Sequence, residues 1–264
     1  MEKIVYYSSG MQHFGKRMVE DMEFRKYNPQ TDRNKEVFFQ GLYFQEDYIA
    51  FQQHLGKRVL YWNGNDVIRA LTTPHWLTII LNTPARHLCH SYWQKEVWRR
   101  LGIEVEIYPI FFGNINNFPI TYKRSDTPHV YITSHDGRGK EYGVDVIERV
   151  APLVPEITFH IYGEKNSSPN TNVIYHGWVE ESEMDADIKG YHGCIKGGSD
   201  GIAITLMKCI LLGQYPISYQ KIEGVWHAPD DKTLVKMLKK LKKQEEPNYK
   251  LREQYINHFK PYGE

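Results

Sequence analysis

Cysteine is scarce in this chain of 264 residues: Cys89, Cys194 and Cys209 are the only three, and each sits among apolar neighbours. So small and odd a number excludes a disulfide framework and predicts buried thiols in a reducing compartment. No Cys/His cluster has zinc-like spacing. Long apolar runs are missing too. Nothing approaches the roughly 18 residues of a membrane-spanning helix, and residues 1–10, MEKIVYYSSG, lack the cationic start and apolar core of an export signal. They read as a first strand and its turn, so a soluble cytoplasmic protein is expected. Nor is there an excess of charge: 33 Lys and Arg against 32 Asp and Glu leave +1, which gives no strong generic attraction to nucleic acid or an anionic membrane. With 41% hydrophobic and 25% charged residues and no internal repeat, the chain is globular and long enough for one large domain or two small ones.

What is present is an alternation of strand and helix signals that runs twice. Lys3–Tyr7 is a β-rich run closed by Ser8-Ser9-Gly10, ahead of a helical pattern carrying Phe14, Met18 and Met22. A polar loop (27–35), a strand (36–43, EVFFQGLY), a helix (47–54) opened by Asp47 and a strand (58–62, RVLYW) ending at Asn63-Gly64-Asn65-Asp66 follow. Residues 76–81 (WLTIIL) read as a fourth strand, 85–101 as a long helix capped by Gly102, and 105–112 (VEIYPIFF) as a fifth strand. Gly113 to Pro119 breaks regular structure, and the pattern restarts with a strand at 129–134, a loop (HDGRGKEY), a helix at 143–153 and a strand at 157–162. A helix at 232–243 buries Leu234, Val235, Leu238 and Leu241 and turns a solvated lysine face outward. A last amphipathic helix carries Leu251, Tyr255 and Phe259. The fold class is α/β, two Rossmann-like lobes facing across a cleft, with lobes at 1–117 and 118–244 and a C-terminal helix, 245–264, that packs back on the N-terminal lobe.

The densest chemistry lies at Gly197-Gly198-Ser199-Asp200-Gly201, between the apolar Cys194-Ile195 and the run from Ile202 to Leu212. Glycines so close together let the backbone turn sharply and present free N–H groups at a helix N-terminus, which suits a phosphate-sized anion. An ordinary strand-to-helix turn is the alternative for the cluster taken alone.

In the order HVYITSHDGRGKEYGVDVIERV, ITFHIYG, NVIYHGWV, GGSDGIAITLMKCILLGQYPIS, residues 129–243 resemble the donor-binding lobe of retaining GT-B glycosyltransferases of family four. The N-terminal half is similar more weakly, through YWNGNDV and HLCHSYWQKEVWRRLGI. The chain is short for that fold, as compact viral or phage members are. The resemblance implies hexosyl or pentosyl transfer from a UDP- or GDP-type nucleotide sugar, with retention and no obligatory metal. The donor would bind in the C-terminal lobe, and the acceptor, a glycan, a lipid-linked sugar or modified nucleic acid, mainly in the N-terminal lobe.

Carried over by position, Asp200 stands at the first glutamate of the family's paired-glutamate signature, which contacts the donor sugar. Gly198, Ser199 and Gly201 aim N–H groups at phosphate. Arg138 and Lys140 fall in the diphosphate loop, and Asn63 replaces a strand-end histidine that faces the sugar. Ala203 replaces a loop glycine. Lys208 stands where the second glutamate, the ribose ligand, would be; a cation cannot accept the ribose hydroxyls but can donate to them or bind phosphate. Gly10 and His13, after the first strand, are candidate contacts to an approaching phosphate.

Other polar residues carry competing readings. Asp185-Ala186-Asp187 lies in a helical pattern and is read as a solvated face rather than a metal site. His90 is read as a structural histidine, and Asp66 as a helix cap. From a different class, a non-catalytic nucleotide- or sugar-binding module also fits, motivated by Lys208.

Overall fold

A computed structural model describes residues 2–135, 137–198 and 203–259. Residues through Asn114 form one compact unit and Ile115–Phe259 a second. The break expected after residue 117 lies at the short turn Ile115–Asn117 that opens the second unit.

The first unit runs β1 (Lys3–Tyr7), α1 (Gln12–Asp21), β2 (Phe24–Lys26), β3 (Val37–Gln40), α2 (Gln45–Gln53), β4 (Arg58–Trp62), α3 (Asn65–Thr72), α4 (Pro74–Asn82), β5 (Arg86–Cys89), α5 (Tyr92–Arg100) and β6 (Val105–Ile107). Its sheet has the order β2-β1-β3-β4-β5-β6, with every neighbouring pair parallel. Parallel strands are covered by helices on both faces and therefore read as continuous apolar runs. All four residues of β3, VFFQ, are buried, and Phe39, Leu60 and Trp62 pack with Val67 and Trp98 in one core.

The second unit runs β7 (His129–Thr133), α6 (Gly139–Tyr142), α7 (Val144–Val150), β8 (Thr158–Tyr162), β9 (Val173–Gly177), α8 (Glu181–Ile188), β10 (Gly193–Lys196), α9 (Ile204–Leu211), β11 (Tyr215–Ser218), β12 (Trp226–His227), α10 (Asp231–Leu241) and α11 (Tyr249–Ile256). Its order is β12-β11-β10-β7-β8-β9, again all parallel. Numbered within the unit this is the doubly wound Rossmann order, and its reversal falls between β7 and β10. Ile132, Ile147, Phe159, Ile195, Ile217, Leu234 and Leu238 form its core.

Several local expectations are corrected. WLTIIL is not a strand but the body of α4, with Pro74 at its first position. A short apolar run does not distinguish strand from buried helix, and proline favours a helix start. The long helix expected over 85–101 is instead β5 followed by α5: RHLC pairs with Val59–Trp62 on one side and Val105–Ile107 on the other. The strand expected over 105–112 stops at Ile107, since Pro109 has no N–H to continue a ladder. Part of the expected loop HDGRGKEY forms the helical turn α6. The last helix, expected on the N-terminal lobe, is α11, which packs on α9 within the second unit; residues 260–264 lie outside the described residues. Among the described residues no helix is long and apolar enough to cross a membrane.

Candidate functional site

Ligands of doubly wound sheets bind beyond the carboxyl ends of the strands, where the strand order reverses. In the second unit that point is flanked by the segment after β7, which leads into α6, and the turn after β10, Gly197-Gly198. The two segments touch. A methyl group on Gly197 would stand 2.1 Å from the Tyr142 carbonyl oxygen, and Gly198 takes φ +81°, a left-handed conformation glycine adopts without strain. The sheet therefore requires glycine here for close backbone approach as well as for the turn. We expect Gly197→Ala to push α6 off β10 and to cost about 1–3 kcal/mol, as overpacking does; the urea midpoint checks it.

The start of α9 is fixed over the same point. Thr205 in its first turn shares a hydrogen bond with Thr133 at 2.8 Å between hydroxyl oxygens, and its carbonyl accepts from the Tyr131 hydroxyl at 3.1 Å. Ser199, Asp200 and Gly201, three of the expected donor contacts, lie outside the described residues. Arg138 is at the site but exposed. Its guanidinium donates to Glu141 at 2.6 Å and lies 5.3 Å from the Tyr142 ring centre. Lys140 is exposed on α6.

Two basic residues are placed in ways the sequence did not suggest. Lys208 is buried, its side chain only 1% exposed, with its ammonium donating to Glu181 and Asp185 of α8 and facing the Phe118 ring. The solvated-face reading is corrected at Asp185, which pairs with the buried Lys208; Asp187 is exposed, as that reading expects, while accepting from the Tyr162 hydroxyl at 3.0 Å. The i, i+4 spacing of Glu181 and Asp185 places both carboxylates on one helix face, but nothing local announces a lysine on another helix between them. The other residue is Lys196, which passed unremarked in the sequence because it closes a short apolar strand. It is buried, and its ammonium lies 4.6 Å from the Tyr142 ring centre, directly at the reversal point. Trp178, just past β9, is 72% exposed, with its ring 6.5 Å from that of His135. Its exposure beside the site had no signal in the sequence.

In the first unit the reversal lies between β1 and β3. Gly10 packs on Tyr43 beyond β3, and its N–H donates to the buried Ser8 hydroxyl. Asn63 beyond β4 accepts from the buried Gln40 side chain at 3.0 Å and donates to the Tyr61 carbonyl. Asp66, as expected of a cap, accepts from the N–H groups of Asn63, Gly64 and Val67. Its pKa is nevertheless raised to about 6, because full burial outweighs those donors. Gly10 and Asn63 thus flank one strand end, while His13 is exposed in the first turn of α1. His90 has its ring 6.4 Å from that of Tyr61. Among the described residues no group of three or more His, Cys, Asp or Glu is placed to hold a metal ion.

Each of the two units is thus a Rossmann-like doubly wound parallel sheet with its own strand-order reversal. No protein-family model and no curated protein matches the sequence. Among solved structures, the pneumococcal O-GlcNAc transferase GtfA in complex with UDP and GlcNAc is similar with a TM-score of 0.57 and 14% identity, over 86% of this chain and 54% of that one. HepE from Anabaena in complex with UDP-glucose is similar with a TM-score of 0.55 and 8% identity, over 96% and 90%. The UDP-forming trehalose-phosphate synthase of Burkholderia xenovorans in complex with glucose-6-phosphate gives 0.61 and 8%, over 87% and 71%. The chain spans about half the length of GtfA. At such identities the likeness shows the fold.

Proposed function

We propose that this chain is a glycosyltransferase that moves a hexosyl or pentosyl group from a UDP-sugar to an acceptor hydroxyl with retention, binding the donor in the second unit. The observation that carries this reading is the meeting of a glycine turn, a helix start and basic side chains at the reversal between β7 and β10. UDP is preferred to GDP because GtfA and HepE are described in complex with UDP and UDP-glucose. In the reaction the bond from the sugar C1 to the β-phosphate oxygen breaks, with its electron pair left on the departing UDP. The acceptor oxygen bonds to C1 and gives up its proton to that phosphate. Arg138, Lys140 and the N–H groups of the glycine turn would stabilise the charge that develops. That electrostatic work needs no side-chain nucleophile.

The carboxylate that the resemblance expects on α9 is supplied here from α8. Glu181, 34% exposed and held by Lys208, is proposed to accept the ribose hydroxyls, with Trp178 beside the base. The acceptor would meet the first unit near Gly10, His13 and Asn63. A glycan or lipid-linked sugar suits a chain of charge +1 better than modified nucleic acid does. The test is release of UDP from UDP-hexoses and UDP-pentoses. Turnover that falls at least about tenfold in Arg138→Ala, the worth of one charged hydrogen bond, supports the enzyme. Tight UDP binding with no release from any donor means a binding module instead.

A further inference from the structure

The sequence reads residues 27–35 as a polar loop, yet their inner side is tied down. Asp32 is fully buried and accepts from both terminal nitrogens of Arg25 at 2.8 and 2.7 Å and from the Asn28 N–H at 2.7 Å. The Arg33 carbonyl accepts from the N–H groups of Leu55 and Gly56. Between this segment and α2, at the carboxyl ends of β1 and β2, lies a cavity of about 400 Å³, within the roughly 300–1,000 Å³ of small-molecule sites. We propose that it is a saccharide site that takes a sugar bearing a carboxylate or phosphate group. Gly10, His13 and Asn63, offered above to the acceptor, do not line it. The site concerns the first unit alone and does not depend on the donor reading.

The lining suits such a ligand part by part. The Tyr6 and Tyr27 rings meet at 70° with centres 6.0 Å apart, and the Tyr6 hydroxyl donates to the buried Asp47 at 2.8 Å, which fixes its ring. Rings held in this way can bury the C–H face of a pyranose. Arg33 donates through Nε to the Gln53 carbonyl at 3.0 Å, at the C-terminal end of α2. Its terminal N–H groups meet no carboxylate among the described residues, and they form the planar fork that binds an acid group bidentately. Lys26 adds a second charge, its ammonium 5.1 Å from the Tyr7 ring centre. Both cations are exposed, which is how an unpaired charge is tolerated before a ligand arrives. Glu46, in the first turn of α2, lines the same cavity, about 10 Å along the helix axis from Gln53. Among the described residues it pairs with neither cation, and a carboxylate so placed accepts hydrogen bonds from sugar hydroxyls. A bare phosphate would leave the rings uncovered, and an aromatic acid without hydroxyls would leave Glu46 with no donor.

The experiment measures binding of galactose, galacturonate, galactose 6-phosphate and inorganic phosphate to the full chain by calorimetry, with no nucleotide present. At least one of the two acidic sugars should bind at least about tenfold tighter than galactose, the worth of one charged hydrogen bond, and tighter than inorganic phosphate. Which of the two binds tighter names the acid group. Arg33→Met should bring that sugar to within about threefold of galactose, and Arg33→Lys, which keeps the charge without the fork, should recover only part of the difference. Ile49→Trp, at a 42% exposed position in the cavity wall, should abolish binding of all three sugars at an unchanged melting temperature. Acidic sugars that bind no tighter than galactose or not at all, phosphate bound as tightly as the sugars, or affinity unchanged in a folded Ile49→Trp overturns the assignment. UDP release, measured separately, decides the donor reading and leaves this one untouched.

Discussion

Neutralising both carboxylates around Lys208, as Glu181→Gln with Asp185→Asn, is expected to destabilise the protein by about 3–5 kcal/mol, the usual cost of leaving a buried charge without its partner. The lysine side chain is 1% exposed, and its remaining neighbour is the Phe118 ring, 5.5 Å from the ammonium. A ring face offsets only a small part of the lost hydration. The urea midpoint should fall with an unchanged slope, since the surface exposed on unfolding is the same. Adding Lys208→Met to the double variant should restore most of the loss, because an apolar side chain of similar volume has no charge to desolvate. Lys208→Met alone should cost less than the double variant. It leaves Glu181 and Asp185, 34% and 20% exposed, in contact with water. A double variant within about 1 kcal/mol of wild type would mean that the ammonium reaches solvent and that the three groups are not one unit.

Acid should unfold the chain well before its carboxylates are titrated. One histidine from each of β7, β8 and β9 forms a ladder: His129 Nδ1 to His160 Nε2 at 2.8 Å, and His160 Nδ1 to His176 Nε2 at 2.8 Å. Each of these bonds needs one donor and one acceptor nitrogen, so two adjacent rings cannot both be protonated. Around the ladder stand Tyr191, at 3.0 Å from His160 Nδ1, Tyr162 with Asp187, and His192, whose Nδ1 accepts from the His129 backbone. Glu183 also lies near enough to favour charge on His176, though burial prevails. Burial first, then its two histidine neighbours, pushes His160 down to about 3. Burial lowers His129, His176 and His192 as well, and takes His87 in the first unit to about 4.

A histidine whose folded pKa is depressed contributes stability that is complete above the unfolded value of 6.5 and is lost as pH falls toward the folded value. Each therefore removes up to about 1.4 kcal/mol per pH unit below 6.5. His87 alone accounts for about 3 kcal/mol by pH 4. Asp66 works in the opposite sense between 3.8 and about 6, but it is one group against several. Unfolding followed against pH should show stability falling steeply from pH 6.5 to 4, with a slope near one proton smaller in His160→Leu. A flat profile over that window would show that the ladder is already open to water.

Much of this fold is legible in the sequence because burial on both faces of a parallel sheet writes apolar runs such as VFFQ and RVLYW, and glycine marks where the chain must turn tightly. The sequence misleads where a run is short. WLTIIL fits strand or helix equally by composition, and RHLC joins a sheet only because β4 and β6 offer it two edges. The site shows the same division. The glycine turn is marked by its own residues, whereas Lys196 is one cation at the end of a four-residue strand, and the partnership of Lys208 with Glu181 and Asp185 joins residues 27 and 23 positions apart. Long-range pairing of that kind leaves no local pattern.

The most direct measurement is a crystal structure of the full chain with UDP. The diphosphate should lie against Gly197-Gly198, and the ribose should lie toward Glu181. A diphosphate bound at the first unit's reversal between β1 and β3, or a glycine turn closed over by Tyr142 with UDP excluded, would contradict it.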